Sequence, residues 1–128
     1  TLVSVGVNLV TTSGISVAHA EIVALSLAQV AIGDWNLSRH EPMQLVTTCE
    51  PCAMCFGAVP WSGVKSLVCG ASKQDAEAAG FDEGHKPDDW ANSLQRRGIV
   101  VQCGVLQAEA AAVLATYKAS GGAIYNAD

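Results

Sequence analysis

The stretch Thr48-Cys49-Glu50-Pro51-Cys52-Ala53-Met54-Cys55 constrains this chain more than any other, because it sets three thiols within seven residues around a proline. Upstream, His19-Ala20-Glu21 adds an imidazole and a carboxylate. Zinc takes four ligands of these kinds, and a catalytic site keeps one position for water. A fold that suits this sequence has to carry residues 19–21 and 49–55 to one place. Pro51 suits a helix start, where its missing N–H is not needed. Cys52 and Cys55, three apart, then share one face of the first helical turn. The partial positive charge of a helix N-terminus favours their thiolates. With His19 as third ligand, two thiolates and an imidazole leave a site of zero formal charge around Zn2+, able to lower the pKa of a held water toward about 7.

Glu21 is the candidate acid/base. Two residues turn a helix by about 200°, so His19 and Glu21 converge on one metal only if His19 stands at the very start of its helix. Cys49 is a competing ligand. With Cys52 and Cys55 it would form a closed three-thiolate site completed by His40 or His85, although structural zinc sites usually show a second ligand pair at short spacing. A redox reading of Cys52-x-x-Cys55 is weakened by the preceding Glu-Pro and the crowding third cysteine. Buried, metal-free cysteines are the usual fate of a lone Cys, and three so close together argue against it.

The 128 residues suit one domain, and with half of them hydrophobic and 15% charged the chain is not of the disordered class. No apolar run approaches the roughly 18 residues of a membrane span, and no leader pattern of basic, apolar and small residues is present. A cytoplasmic protein is expected, in which closely spaced cysteines mean metal or redox chemistry; five is also an odd number for internal disulfides. The net charge is −5 and the one basic pair is Arg96-Arg97, placed where it meets a helix C-terminus favourably. Nucleic-acid binders gain most of their affinity from phosphate contacts, so a small-molecule substrate is expected and nucleic acid is not. The chain opens on Thr1 in strand-like sequence and reads as the remainder of a longer protein.

Along the chain, β-branched Leu2–Val10 predicts a strand. Ala18 to Ile32 predicts a helix stopped by Gly33, apolar most of the way round and therefore buried. Strands follow over 43–48, 65–70 and 99–103. Helices follow from Cys52 to about Val59, over 72–79 with Ser72 as cap, over 88–97, and over 107–119. Gly80 to Asp88 is an exposed loop. The alternation predicts a single α/β domain over residues 1–128, with parallel strands wherever a helix intervenes.

His19-x-Glu21 paired with Pro51-Cys52-x-x-Cys55 resembles the signature of the zinc nucleobase deaminases. The wider Cys-Glu-Pro-Cys-Ala-Met-Cys-Phe-Gly-Ala looks like their purine branch, the guanine deaminases and tRNA adenosine deaminases. Ala79-Gly80-Phe81-Asp82-Glu83-Gly84 and Ile124-Tyr125-Asn126 resemble guanine deaminases in particular. The resemblance implies a three-layer α/β/α cytidine deaminase-like fold with a mixed five-stranded sheet, whose first helix and strand are missing before Leu2. It implies His19, Cys52 and Cys55 on Zn2+, and Glu21 and Glu83 as catalytic carboxylates. It also implies a nucleobase held by Asn8 and Glu83, in a homodimer; Ala20 and Trp90 are further candidates for contact with the base, Trp90 reading either as a core or interface aromatic or as a border of the pocket. The implied reaction is hydrolytic deamination of guanine to xanthine and ammonia. A tRNA adenosine deaminase and a noncatalytic zinc-holding fragment are the alternatives. Pro60 departs from the family, and if its turn is helical the ladder there loses a hydrogen bond.

Overall fold

Parallel strand pairs need a crossover between them, and here helices supply it. The computed structural model describes residues 1–125. Its sheet holds three strands, β1 (Gln44–Cys49), β2 (Ser66–Ala71) and β3 (Val100–Gln102), in the order β1-β2-β3 with both pairs parallel. The crossover from β1 to β2 is α3 (Ala53–Ser62); that from β2 to β3 uses α4 (Lys73–Ala79) and α5 (Trp90–Gln95). Two α-helices, the short α1 (Val10–Ser13) and α2 (Ala20–Ile32), and a 3-10 turn over Leu37–Arg39 precede the sheet, and α6 (Gln107–Ala119) follows it. The register sets Leu45 against Leu67 and Leu67 against Val101. Side chains alternate between the faces of a strand, so these three share one face, where Leu25, Leu37, Val59, Val64, Trp90 and Leu94 pack with Leu45 and Leu67.

Local chemistry explains where the helices stop and start. α2 ends at Gly33, whose left-handed φ of 76° lets its N–H reach the Gln29 carbonyl at 2.8 Å. Only Leu25 and Ala28 of this helix are buried, while Leu27 and Val30 face outward. The expectation of an all-round buried helix is thus corrected: the sheet covers a single face. α4 begins with a reciprocal cap, in which the Ser72 hydroxyl accepts from the Asp75 N–H and the Asp75 carboxylate accepts from the Ser72 N–H. α3 runs through Pro60 to Ser62. Since Pro60 has no N–H, the Phe56 carbonyl has no partner four residues on.

One predicted element is not a strand. Residues 1–9 form no ladder, and Val10–Ser13 make a single helical turn. A strand needs a neighbouring backbone to pair with, and this segment lies along α2 instead. Ser4 Oγ donates to the Ala24 carbonyl at 2.8 Å, and Leu9 N donates to the Ala18 carbonyl at 2.9 Å. Gly6 passes so close to Ala20 and Ala24 that no Cβ fits there. The β-branched side chains Val5 and Val7 remain exposed. The described sheet therefore has three strands rather than four, and both of its pairs are parallel. Asn126, named in the sequence resemblance, lies outside the described residues. No described helix is long and apolar enough to cross a membrane.

Candidate metal centre

Two helix starts face each other, and this arrangement removes the angular conflict between His19 and Glu21. His19 is the N-cap of α2, with extended backbone (φ −64°, ψ 156°), so it stands outside the regular turn. Glu21 is in the first turn of the same helix, where a carboxylate complements the helix dipole. Cys52 is likewise the N-cap of α3 (φ −65°, ψ 174°), one residue later than the predicted boundary, and its sulfur accepts from the Cys55 N–H at 3.5 Å. Pro51 precedes the cap and is buried.

His19 Nδ1 lies 3.6 Å from Cys52 Sγ and 3.7 Å from Cys55 Sγ. All three donor atoms lie within 4.8 Å of one another, the one such group of His, Cys, Asp and Glu among the described residues. Cys55 is fully buried and Cys52 nearly so. One imidazole and two thiols converging at that distance fit Zn2+, with a coordination position to spare.

A hydrogen bond from the Cys55 thiol, aided by His19 and the Cys55 amide, holds Cys52 far below the usual thiol range. Cys55, donating to that thiolate and buried, is pushed up. The hydrogen bond to Cys52 also raises His19 above its ordinary value, against the effect of burial. Burial is the main cause that raises Glu21. A carboxyl that leaves water loses stabilisation of its charged form.

Glu83 reaches the same place from the loop between α4 and α5. Its backbone carbonyl accepts from the N–H of Ala53, the first residue of α3, at 2.9 Å. Burial, with the Cys52 charge next, pushes its carboxyl up to about 7. Asn8 is exposed; its Oδ1 accepts from the Val10 N–H at 3.0 Å, and its Nδ2 meets the Tyr125 hydroxyl. The Tyr125 ring in turn stands edge-on to His19, with centroids 5.9 Å apart. Ala20 opens α2 beside His19. Trp90 joins the hydrophobic core, edge-on to Phe56 and beneath Lys86, rather than the group around His19.

Cys49 stays out of the donor group. Its sulfur lies 3.7 Å from the Ser72 carbonyl oxygen, and burial pushes its thiol up to about 12. His40 contacts Asp34 at 3.1 Å, and His85 is exposed. The closed three-thiolate site is thereby excluded among the described residues. Cys49→Ala is expected to leave zinc content unchanged, which metal analysis of the purified variant checks.

Sequence reasoning passed over two residues near this centre. Tyr125 served only as part of a terminal motif, although an isolated aromatic after the Gly121-Gly122 break is a signal that something holds it. Lys86 falls in a polar stretch that predicts an exposed loop, yet it is buried. No periodicity marks a single charged residue that turns inward.

A histidine and two cysteines on paired helix starts, set against a parallel sheet, define a zinc-binding α/β domain. The chain belongs to the cytidine and deoxycytidylate deaminase zinc-binding family, whose model matches residues 1–71. It is similar to the guanine deaminase of Bacillus subtilis (strain 168), with 40% identity over 82 residues that cover 64% of this chain and 51% of that protein. It is also similar to the tRNA-specific adenosine deaminase of the same organism, at 45% identity over 64 residues, covering 50% of this chain and 38% of that one. Among solved structures, a guanine deaminase from Nitrosomonas europaea superposes with a TM-score of 0.87 at 51% identity, covering 89% of this chain and 64% of that one. A structure in complex with 2,6-diaminopurine gives a TM-score of 0.88 at 51% identity, covering 95% and 66%. The chain spans about half the length of the guanine deaminase from Bacillus subtilis. These likenesses confirm the cytidine deaminase-like α/β fold.

Proposed function

We propose that this chain carries the zinc centre of a hydrolase that deaminates a free amino-purine base, converting guanine and water to xanthine and ammonia. The observation that carries this reading is the convergence of His19, Cys52 and Cys55 with Glu21 in the first turn of the helix that His19 caps. The similarity to guanine deaminases supports it. Zinc held by the three donors would supply the Lewis acidity that makes water nucleophilic near neutral pH.

The remaining work falls to side chains of this chain. Glu21, half-buried and raised in pKa, is suited to both halves of a proton shuttle. It takes a proton from the water that adds to the carbon bearing the exocyclic amine. It then returns that proton to the neighbouring ring nitrogen, and after a further transfer to the amine, ammonia leaves. Glu83 offers a second half-buried carboxyl to the base, and Asn8 an amide to its ring. Ala20 brings backbone next to His19. Trp90, packed in the core with Lys86 over its ring, would border the base from that side.

A homodimer in the cytoplasm completes the reading. The five cysteines are free, as suits a reducing compartment, and Trp61 and Val30 are exposed apolar side chains that a partner would cover.

The similarity to tRNA-specific adenosine deaminases favours a second reading, action on an anticodon stem-loop. A screen of ammonia release over guanine, ammeline, cytosine, cytidine, adenine, adenosine and an anticodon stem-loop separates the two. Turnover of guanine that is insensitive to salt is expected. Activity confined to the RNA, falling steeply with salt as phosphate contacts require, would replace the free-base reading with the second.

A further inference from the structure

We infer that Lys86 is a positioning residue, fastening the loop that bears Glu83 to the turn that presents Cys52; this rests on the deaminase reading above and specifies how its site is held together. Among the described residues Lys86 is the one buried charged residue. Its side chain is 2% exposed and that of its partner Glu50 is 13% exposed. The ammonium donates to Glu50 Oε1 at 2.8 Å and to the Pro51 carbonyl at 2.6 Å, and it lies 4.3 Å from the centroid of the Trp90 ring. A charge so withdrawn from water is tolerated only when it is paired and hydrogen-bonded. Carboxylate, carbonyl and indole face together meet that need.

The partners show what the contact does. Glu50 and Pro51 form the turn between β1 and Cys52, so Lys86 grips the chain immediately before the first thiol ligand. Three residues earlier in the loop, the Glu83 carbonyl accepts from the Ala53 N–H at 2.9 Å, immediately after that ligand. The loop therefore touches the metal turn on both sides of Cys52. Gly84 lies between the two contacts with φ at 71°, and a Cβ there would stand 3.0 Å from the Ala53 Cβ. The close approach needs glycine at that position. Residues 81–87 contain no helix or strand, so the loop has no internal ladder to hold Glu83 in place. Lys86 provides the anchor. It touches neither the donor atoms nor a base, and it acts through Pro51 and Glu83.

The test uses the full chain loaded with zinc. Lys86→Met keeps a long apolar stem without the charge, and Lys86→Met/Glu50→Gln removes both charges so that no carboxylate is left buried alone. The first readout is hydrogen exchange at the Ala53 amide, which is expected to lose protection in both variants while the amides of β2 keep theirs. The second is kinetic. On guanine, kcat is expected to fall about 10- to 100-fold, the range seen when outer-shell partners of a metal site are removed. On a Glu83→Gln background the same change is expected to add little, because residues that act as a unit are not additive. Full protection of Ala53 in both variants would overturn the inference, and so would a kinetic loss fully additive with Glu83→Gln. If Lys86→Met fails to fold, the double variant carries both readouts. If the unaltered chain turns over no base, the deaminase reading fails, and protection at Ala53 still decides the role of Lys86.

Discussion

Glu21→Gln is expected to cut ammonia release from guanine by about 100- to 10,000-fold, the usual worth of a positioned acid/base, and to leave zinc in place. The amide is close to isosteric with the carboxyl but cannot accept a proton from water at neutral pH. Glu21 belongs to the first turn of α2 while His19 caps that helix, so the exchange alters the shuttle without moving the ligand. Its raised pKa reflects burial first of all, and the neutral amide suits the same half-buried place. Metal analysis and an ammonia assay on one preparation check both halves. Loss of zinc together with activity would mean that Glu21 holds the metal turn and is not the shuttle.

Cys55→Ala is expected to have the opposite signature, with zinc lost first and activity with it. Cys55 is fully buried, its sulfur is 3.7 Å from His19 Nδ1, and the substitution leaves two donors of the three. Structural zinc sites bind with about 10–16 kcal/mol in all. One ligand's share is several kcal/mol, so a drop in zinc affinity of roughly 1,000-fold or more is expected. Competition against a chromogenic chelator measures it. Zinc affinity unchanged in Cys55→Ala would remove this sulfur from the site.

The contrast between these variants shows why the chemistry of the centre was legible in the sequence. Cys52 and Cys55 are three apart, which brings both sulfurs to one helix start; the structure sets that start one residue later than expected, with Cys52 as the extended N-cap and Cys55 in the first turn of α3. The constraint on His19 was equally local. Glu21 lies two positions on, and only a position at the helix start lets both converge. The structure places it at the N-cap. The three strands over residues 44–49, 66–71 and 100–102 were likewise legible as short, largely apolar runs between helices.

What escaped depends on partners distant in sequence. Leu2–Val10 has the composition of a strand, but composition does not say what backbone lies beside it, and here it is the helix α2. Leu27 and Val30 make α2 look buried on all sides; the sheet covers one face only. Lys86 sits in a stretch rich in Gly, Asp and Lys, whose polarity suggested exposure. Its burial follows from the adjacent Glu50 and Pro51 and from Trp90, which the fold collects from two separate places. Trp90 itself illustrates the same limit: an aromatic near a loop can line a pocket or fill a core, and this one fills the core.

The most direct test of the zinc deaminase reading is ammonia released per mole of zinc when the metal-loaded chain is given guanine, with xanthine followed in parallel. Catalytic turnover with equal amounts of ammonia and xanthine, proportional to bound zinc and lost in Glu21→Gln, is the expected result. A chain that retains its zinc on His19, Cys52 and Cys55 yet releases no ammonia from guanine or any other base in the screen would contradict it, leaving the metal a purely structural role.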